Sequence, residues 1–228
     1  MINELLEGKK VAYVGKSSEY YTPRCCHHDL FDVLVCGGEY YETDSAVQEI
    51  IKLKSSENFE KSEVFCLSEE KRYEPKAVYV KGSVFLFGGK PKGDDFSPFQ
   101  DKIFKMVEKI CLFSKKCEVV ADITDINKEK FWRYSVCAYA DKIHIIDGKN
   151  VDPVNHCIEF DTNNYAWKYK RGMLQSRENC HATVFEERIV VTGGRQLTND
   201  NRNNNEFDFP GLFKTLKSVE VYDRIDDS

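Results

Sequence analysis

The sequence predicts an all-β fold made of four copies of one repeating unit. Two segments, Arg72–Gly89 and Arg177–Gly194, align over eighteen residues without a gap, and both end in a Gly-Gly doublet. Two looser copies, Tyr21–Gly38 and Phe131–Gly148, share this layout but begin with an aromatic residue instead of arginine. Self-similarity of this kind is typical of repeat architectures, in which each copy forms one supersecondary unit.

The spacing between the copies favours strands over helices. From one doublet to the next, the steps are 51 residues (Gly37 to Gly88), 59 residues (Gly88 to Asp147) and 46 residues (Asp147 to Gly193). These steps bracket the roughly 50-residue pitch of β-propeller repeats and exceed the roughly 34-residue pitch of helical repeats. We therefore divide the chain into a non-repeat segment and four repeat units, at 1–20 and at about 21–71, 72–130, 131–176 and 177–228.

Each unit contains a predicted hairpin. The run before the doublet is short and rich in β-branched or aromatic residues, as at 84–87 and 189–192, which is typical of a buried strand. A two-residue turn precedes each run, with Lys81-Gly82 in the second unit at the position of Glu186-Glu187 in the fourth. The units are therefore predicted to be built from strands.

The doublets predict sharp bends in the backbone. Glycine weakens the interior of a strand, so a glycine pair at the end of an apolar run indicates a bend or a close approach of two backbone segments. A second signature follows each of the last two doublets: an aromatic-Asp turn at 160–167, which ends at Trp167, and the segment 219–223, which contains Tyr222. The doublet glycines are Gly37, Gly38, Gly88, Gly89, Gly148, Gly193 and Gly194.

Together these residues resemble the kelch repeat, a four-stranded propeller blade with a Gly-Gly doublet, a Tyr-Asp turn and a Trp. The resemblance covers about 21–228; it departs from the pattern at Asp147, where the family has glycine, and at Phe59, where the family has Trp. It implies a kelch β-propeller with about four blades present, in which Trp167 packs between blades. The six-bladed ring usual in the kelch-like family needs roughly 300 residues, so the ring is expected to be incomplete.

An incomplete ring leaves apolar faces and strand edges open, which predicts self-association. Three explanations stay open: a truncated gene product, a partial sequence, or a ring that closes by oligomerising. In kelch-like proteins a BTB domain and a helical BACK domain precede the propeller. Segment 1–20 is interpreted either as a short helix or, by that resemblance, as the tail of a BACK domain. Neither whole domain is seen in the sequence.

Composition argues for a cytoplasmic protein. The formal net charge is -5, with 31% charged and 41% hydrophobic residues, which gives no electrostatic case for nucleic acid or an anionic membrane. There is no run of about eighteen apolar residues, so no transmembrane helix is predicted. The first ten residues, MINELLEGKK, lack the apolar core of a secretory signal.

The nine cysteines predict buried free thiols, because their number is odd and their spacing matches no disulfide framework. The run from Cys25 to His28 holds four metal-ligand residue types, but neighbours on a strand point to opposite faces and cannot converge on one ion. Whether any cysteine is redox-active stays open. The sequence also has no phosphate-binding loop, nucleophile elbow or zinc-protease motif. We therefore predict no metal, no cofactor and no enzymatic activity.

Two polar stretches interrupt the repeat. Residues 196–208 are predicted to form a solvated loop between strands of the fourth unit, and 91–102 are a similar insertion.

The resemblance places partner binding in the loops that follow each doublet and each initial arginine position. Of these residues, Trp132, Arg133 and Arg195 are the strongest candidates, since Trp and Arg are frequent anchors of protein interfaces. Replacing Arg195 by Ala is expected to leave stability almost unchanged. The partner-binding candidates are Glu39, Tyr40, Tyr73, Glu74, Lys90, Trp132, Arg133, Lys149, Glu178, Asn179 and Arg195.

Function is therefore predicted to be protein recognition, resembling the substrate-binding propeller of a Cullin-3 ubiquitin-ligase adaptor that holds a peptide of its substrate. An actin-binding, cytoskeletal kelch protein is the alternative. A kelch-fold enzyme is a third and weaker one, because no set of acid, base, nucleophile or metal ligands is present in the sequence. The sequence does not identify the partner.

Overall fold

A computed structural model describes the strands of all four repeat units. The predicted all-β class is confirmed: the described part of the chain folds into several antiparallel sheets and contains no α-helix. The chain divides into two compact halves, an N-terminal half (1–122) and a C-terminal half (123–228). The described residues are 20–21, 24–28, 32–37, 39–40, 45–54, 62–72, 75–89, 106–123, 134–146, 157–197 and 213–222.

The N-terminal half contains two sheets, here called the first and second. The first follows the order β1-β4-β5-β3-β2, with β6 added on β5, and the second follows the order β10-β9-β8-β7. Their strands are β1 (Tyr20–Tyr21), β2 (Arg24–His28), β3 (Asp32–Cys36), β4 (Glu39–Tyr40), β5 (Ser45–Leu53), β6 (Ser62–Arg72), β7 (Lys76–Val80), β8 (Ser83–Phe87), β9 (Met106–Cys111) and β10 (Lys116–Asp122).

The C-terminal half contains the third sheet, the fourth sheet and a separate hairpin. The third sheet follows the order β11-β12-β13-β14, the fourth follows β15-β16-β19, and β17 pairs with β18. Their strands are β11 (Ser135–Tyr139), β12 (Lys142–Ile146), β13 (Cys157–Asp161), β14 (Trp167–Lys170), β15 (His181–Phe185), β16 (Arg188–Thr192), β17 (Arg195–Leu197), β18 (Phe213–Thr215) and β19 (Val219–Tyr222).

Each half has its own hydrophobic core between two sheets, because alternate residues of each strand face the neighbouring sheet. In the N-terminal half, the core of the first and second sheets contains Leu34, Cys36, Ile50, Phe65, Val84, Leu86, Ile110 and Leu112. In the C-terminal half, the core of the third and fourth sheets contains Cys137, Ile146, Cys157, Met173, Ala182, Ile189 and Val191.

The two predicted hairpin turns are confirmed. Lys81 and Gly82 join β7 to β8, with φ angles of 44° and 76°, and Glu186 and Glu187 join β15 to β16, with φ angles of 45° and 62°. Positive φ at both central residues is what a type I′ turn requires, and this turn matches the twist of the two strands that it connects.

The doublet glycines have the backbone conformation that the sequence predicts. A Cβ on Gly37 would lie 2.6 Å from Pro75 Cδ, and a Cβ on Gly194 would lie 2.8 Å from the carbonyl oxygen of Glu178. Only glycine fits a positive φ together with so close a neighbour. Gly38 and Gly148 lie outside the described residues. Positive φ occurs at Gly37, Gly88, Gly89, Gly193 and Gly194.

The two aromatic residues of the second signature pack in different places. Trp167 is half-buried and lies opposite Phe160 in the β13–β14 ladder, with 4.6 Å between ring centroids. Packing between repeat units was expected for Trp167, whereas this contact is within the third sheet. Tyr222 on β19 packs against the core of the C-terminal half.

Among the residues described here, no helix is long and apolar enough to cross a membrane. Seven described cysteines are free thiols, but only Cys36, Cys137 and Cys157 are buried as predicted, and the other four are half-buried. Cys25 to His28 lie along β2.

Candidate binding surface

The fourth repeat unit holds the part of the predicted binding surface for which side chains are described. Glu39 and Tyr40 form β4. The remaining described candidates are Glu178, Asn179 and Arg195, all in the C-terminal half. Six candidates lie outside the described residues: Tyr73, Glu74, Lys90, Trp132, Arg133 and Lys149.

The initial arginine of the fourth unit is a buried structural residue. Arg177 is 1% exposed, and its Nη1 donates to the carbonyl oxygens of Gly193 at 2.9 Å and Ser218 at 3.1 Å. Its Nη2 donates to Glu220 Oε1 at 2.6 Å. The backbone N–H of Leu174 donates to the second oxygen, Oε2, of Glu220 at 2.7 Å. We call this set of contacts the arginine brace.

The second unit contains the same brace at the matching positions. Arg72 is 1% exposed and donates from Nη1 to the carbonyl oxygen of Gly88 at 2.6 Å. Its Nε donates to Glu108 Oε1 at 3.0 Å, and its Nη2 contacts the same oxygen. Three residues before the arginine, the N–H of Glu69 donates to Glu108 Oε2 at 3.2 Å. In each brace, therefore, one arginine ties the first doublet glycine to a glutamate on the next strand of the sheet.

The glutamates of the braces are structural partners that the sequence analysis missed. In the strand ladders, Glu108 lies opposite Leu86 and Glu220 lies opposite Val191. Leu86 and Val191 are each two residues before the first glycine of a doublet. The residues at this ladder position in the first and third sheets are Ile51 and Ile158.

A signal for the brace is present in the sequence. The units with isoleucine at this ladder position begin with Tyr21 and Phe131, whereas the units with glutamate begin with arginine. Arginine and glutamate thus occur together and are replaced together by apolar residues. This pattern becomes visible only when the strand register is known.

The brace of the fourth unit brings two predicted site residues together. Glu178 follows the arginine and Arg195 follows the doublet, and their backbones form an isolated antiparallel bridge. The N–H of Glu178 donates to the Arg195 carbonyl at 2.8 Å, and the N–H of Arg195 donates to the Glu178 carbonyl at 2.9 Å. The residues after the arginine and after the doublet are therefore neighbours here, as the repeat register predicts.

Side-chain contacts fix the position of Arg195. Its Nε donates to Glu178 Oε1 at 2.7 Å, and its guanidinium carbon lies 4.0 Å from the centroid of the Phe213 ring. The Arg195 side chain is 29% exposed. A guanidinium held between a carboxylate and an aromatic face loses less conformational freedom when it binds a ligand than a mobile one does.

The other two candidates differ in exposure. Glu178 is 5% exposed, and its carboxylate accepts the hydrogen bond from Arg195 Nε. Its role in partner contact stays a prediction. Asn179 is exposed and has a φ of 54°, a left-handed conformation that asparagine tolerates better than most residues.

Arg195 is the first residue of the β17–β18 hairpin. Lys214 and Lys217 are exposed on and after β18, whereas Leu216 is 6% exposed. Gln196 of β17 accepts a hydrogen bond from Gln175 Nε2 at 2.9 Å, which ties the hairpin to the segment before Arg177. The predicted solvated loop, 196–208, begins on β17 and continues outside the described residues.

The described thiols differ in acidity. Burial raises the pKa of Cys66 to about 11 and that of Cys137 to about 12, so both stay protonated at neutral pH. Burial and the Glu108 carboxylate also raise the pKa of Cys117. Hydrogen bonds from Ser114 lower the pKa of Cys111. No group of three His, Cys, Asp or Glu side chains in the described ranges could hold a metal ion.

Comparisons with known proteins identify a fold and no family. No family model matches the sequence, and no curated protein matches it. Among solved structures, the chain is similar to the one titled "Structure of YjhT", with a TM-score of 0.67 and 11% sequence identity. The match covers 89% of this chain and 68% of the other. At this identity the likeness shows the fold alone, a multi-sheet, all-β architecture.

Proposed function

We propose that this chain is a kelch-type β-propeller that binds a protein partner through the loops beside its glycine doublets. Its role would resemble that of the substrate-binding propeller of a Cullin-3 ubiquitin-ligase adaptor. The blades would be the four sheets, one for each repeat unit. In support, the second and third sheets each have four antiparallel strands in chain order, as a blade does.

The observation that carries the binding proposal is the environment of Arg195. Its guanidinium lies between the buried carboxylate of Glu178 and the ring of Phe213. A guanidinium carries five N–H donors, so Arg195 can donate to a second carboxylate while it still donates to Glu178. We therefore infer that the bound segment of the partner is extended and acidic.

Selection from a displayed library of random peptides tests the proposal. The full-length chain should enrich sequences that contain Asp or Glu, and synthetic versions of these peptides should bind with measurable affinity by fluorescence polarisation. Arg195→Ala should weaken their binding about tenfold or more, as loss of an interface arginine often does. Arg188→Ala is the matched control, since Arg188 is exposed at the opposite end of the fourth sheet, beside the β15–β16 turn.

Folding must be separated from binding in this experiment. Arg195→Lys keeps the positive charge but loses the planar fork, so it should fold and still bind the acidic peptides several-fold more weakly. Enrichment of no peptide, or equal binding by Arg195→Ala and the parent, would contradict the proposal. Filamentous actin is a second probe: co-sedimentation of the chain with actin would favour the cytoskeletal alternative.

A further inference from the structure

One position of the repeat is buried in three sheets and exposed in the fourth. It is the residue that lies opposite the last strand residue before each doublet, as Ile50 lies opposite Cys36. In the first three sheets this residue is Ile50 (0% exposed), Val107 (1%) and Cys157 (3%). In the fourth sheet it is Val219, which is 57% exposed. The fourth sheet therefore has an apolar residue at this position, although no part of the described structure covers it.

Repeat equivalence shows what this position normally contacts. We call the sheet face that carries it the trailing face, and the opposite face of a sheet its leading face. In the N-terminal half, Ile50 on the trailing face of the first sheet packs in one core with Leu86 on the leading face of the second. In the C-terminal half, Cys157 on the trailing face of the third sheet packs with Val191 on the leading face of the fourth. Trailing faces therefore pack against leading faces.

The trailing face of the fourth sheet is an apolar surface. Phe185, Val219 and Val221 share it and are 63%, 57% and 56% exposed. Val190, between them, is half-buried, whereas its equivalents Leu34, Phe85 and His144 are 0%, 2% and 0% exposed. Adjacent exposed apolar residues of this kind typically mark an interaction site.

A complementary surface exists on the first sheet. Its leading face carries Val33, Val35, Ile51 and Leu53, all of which are only half-buried. At the positions of Val33, Val35 and Leu53, the second sheet has Val84, Leu86 and Ile110, which are 0%, 1% and 0% exposed. In the third and fourth sheets, the residues at the positions of Val33 and Val35 are also at most 2% exposed: Ile143, Ile145, Ile189 and Val191.

We propose that the trailing face of the fourth sheet binds the leading face of the first sheet in a second copy of this chain. The two packed sheet pairs within the chain indicate what binds this face. In each pair, the trailing face of one sheet packs against the leading face of the next sheet, and a second copy supplies such a leading face. The contact joins two different surfaces, so it is heterologous, and it builds either closed rings or longer assemblies according to its rotation. This inference is independent of the peptide-binding proposal.

Sedimentation velocity of the full chain over a range of concentrations tests the inference. The parent chain should form species of more than one chain. Val219→Lys should raise the dissociation constant about tenfold or more, because a lysine amine would be desolvated in the contact. Leu53→Lys, on the leading face, should do the same. Val119→Lys is the matched control, since Val119 is a strand valine that is 47% exposed on the second sheet.

Mixing the two variants gives the sharpest outcome. Each variant retains one intact face, so Val219→Lys and Leu53→Lys should be monomeric alone and should form a one-to-one dimer together. A parent chain that stays monomeric at every concentration would overturn the inference. A Leu53→Lys variant that still self-associates would also overturn it, because that result indicates contact between two trailing faces. Val33→Lys replaces Leu53→Lys if circular dichroism shows that the latter is unfolded.

Discussion

The second and fourth sheets contain the same arginine brace in two different settings. In the second sheet, Glu108 is 0% exposed and also accepts a hydrogen bond from the Cys117 thiol at 3.2 Å. In the fourth sheet, the Glu220 side chain is 16% exposed, and the N–H of Gln175 donates to it at 3.2 Å. In both sheets Nη1 of the arginine donates to the first doublet glycine and Nη2 contacts Oε1 of the glutamate, whereas Nε of Arg72 also donates to Glu108 and Nη2 of Arg177 also donates to the Ser218 hydroxyl. Water can replace a lost partner in the fourth sheet more easily than in the second.

Breaking the brace of the second sheet should have the largest effect. Arg72→Met leaves the buried Glu108 carboxylate without its cation, and we expect it to lower the free energy of unfolding by about 3–5 kcal/mol. Urea denaturation measures this change. Arg188→Met, at an exposed arginine, is the control. A loss below about 1 kcal/mol would mean that the brace is not a buried ion pair in solution.

Replacing both Arg72 and Glu108 by the apolar residues of the third unit should recover most of the free energy of unfolding that Arg72→Met loses. The third unit has Phe131 and Ile158 at the two brace positions, so the matching double variant is Arg72→Phe with Glu108→Ile. Buried ion pairs can often be replaced by apolar residues at little cost, and contacting residues couple by about 0.5–3 kcal/mol. The double variant should therefore be more stable than Arg72→Phe alone. A double variant as unstable as the sum of both single changes would refute the equivalence of the repeat positions.

The brace of the fourth sheet should be less costly to break. Glu220→Ala should lower the free energy of unfolding by about 2 kcal/mol, because Arg177 keeps its two carbonyl acceptors and water reaches the site. Glu108→Ala is the direct comparison and should cost more. Equal losses for both variants would show that burial does not set the difference between the two sheets.

A partly exposed ion pair should give the smallest change in stability. Lys142 and Asp161 form a pair on the third sheet that is about one-fifth exposed. Hydrogen bonding to Lys142 lowers the pKa of Asp161, so the stabilisation is present above about pH 4 and is lost as pH falls through the lowered pKa. Lys142→Met should destabilise the chain by less than about 1 kcal/mol at pH 7. Thermal unfolding at pH 7 and pH 2 should show that difference shrinking in acid.

Local patterns were enough to predict the strands, the turns and the doublets. The positive φ angles at Glu186 and Glu187 follow from alignment with Lys81 and Gly82, because turn geometry depends on a few neighbouring residues. The brace could not be predicted in this way. Arg72 and Glu108 are 36 residues apart, and only the strand register brings them together.

The residues of the candidate site stay a prediction, and the sequence did not indicate the contacts that their side chains make. The repeat register brought Glu178 and Arg195 together, whereas burial of Glu178 and the contact with Phe213 depend on the inserted hairpin. The expectation that Arg195→Ala leaves stability almost unchanged must also be revised. Arg195 donates to a buried carboxylate, and its removal should carry a measurable cost.

The order of the strands along the chain also bears on how the protein folds. In three sheets a long connection separates the strand before the doublet from the strand that pairs with it next. This connection spans residues 147–156 in the third sheet, 88–105 in the second sheet and 193–218 in the fourth sheet. Closing a longer loop loses more chain entropy, and contacts between distant residues form more slowly. We therefore expect the third sheet to form early and the fourth sheet last. Pulsed hydrogen exchange during refolding would detect this as earlier protection of the Ile145 amide than of the Val191 amide.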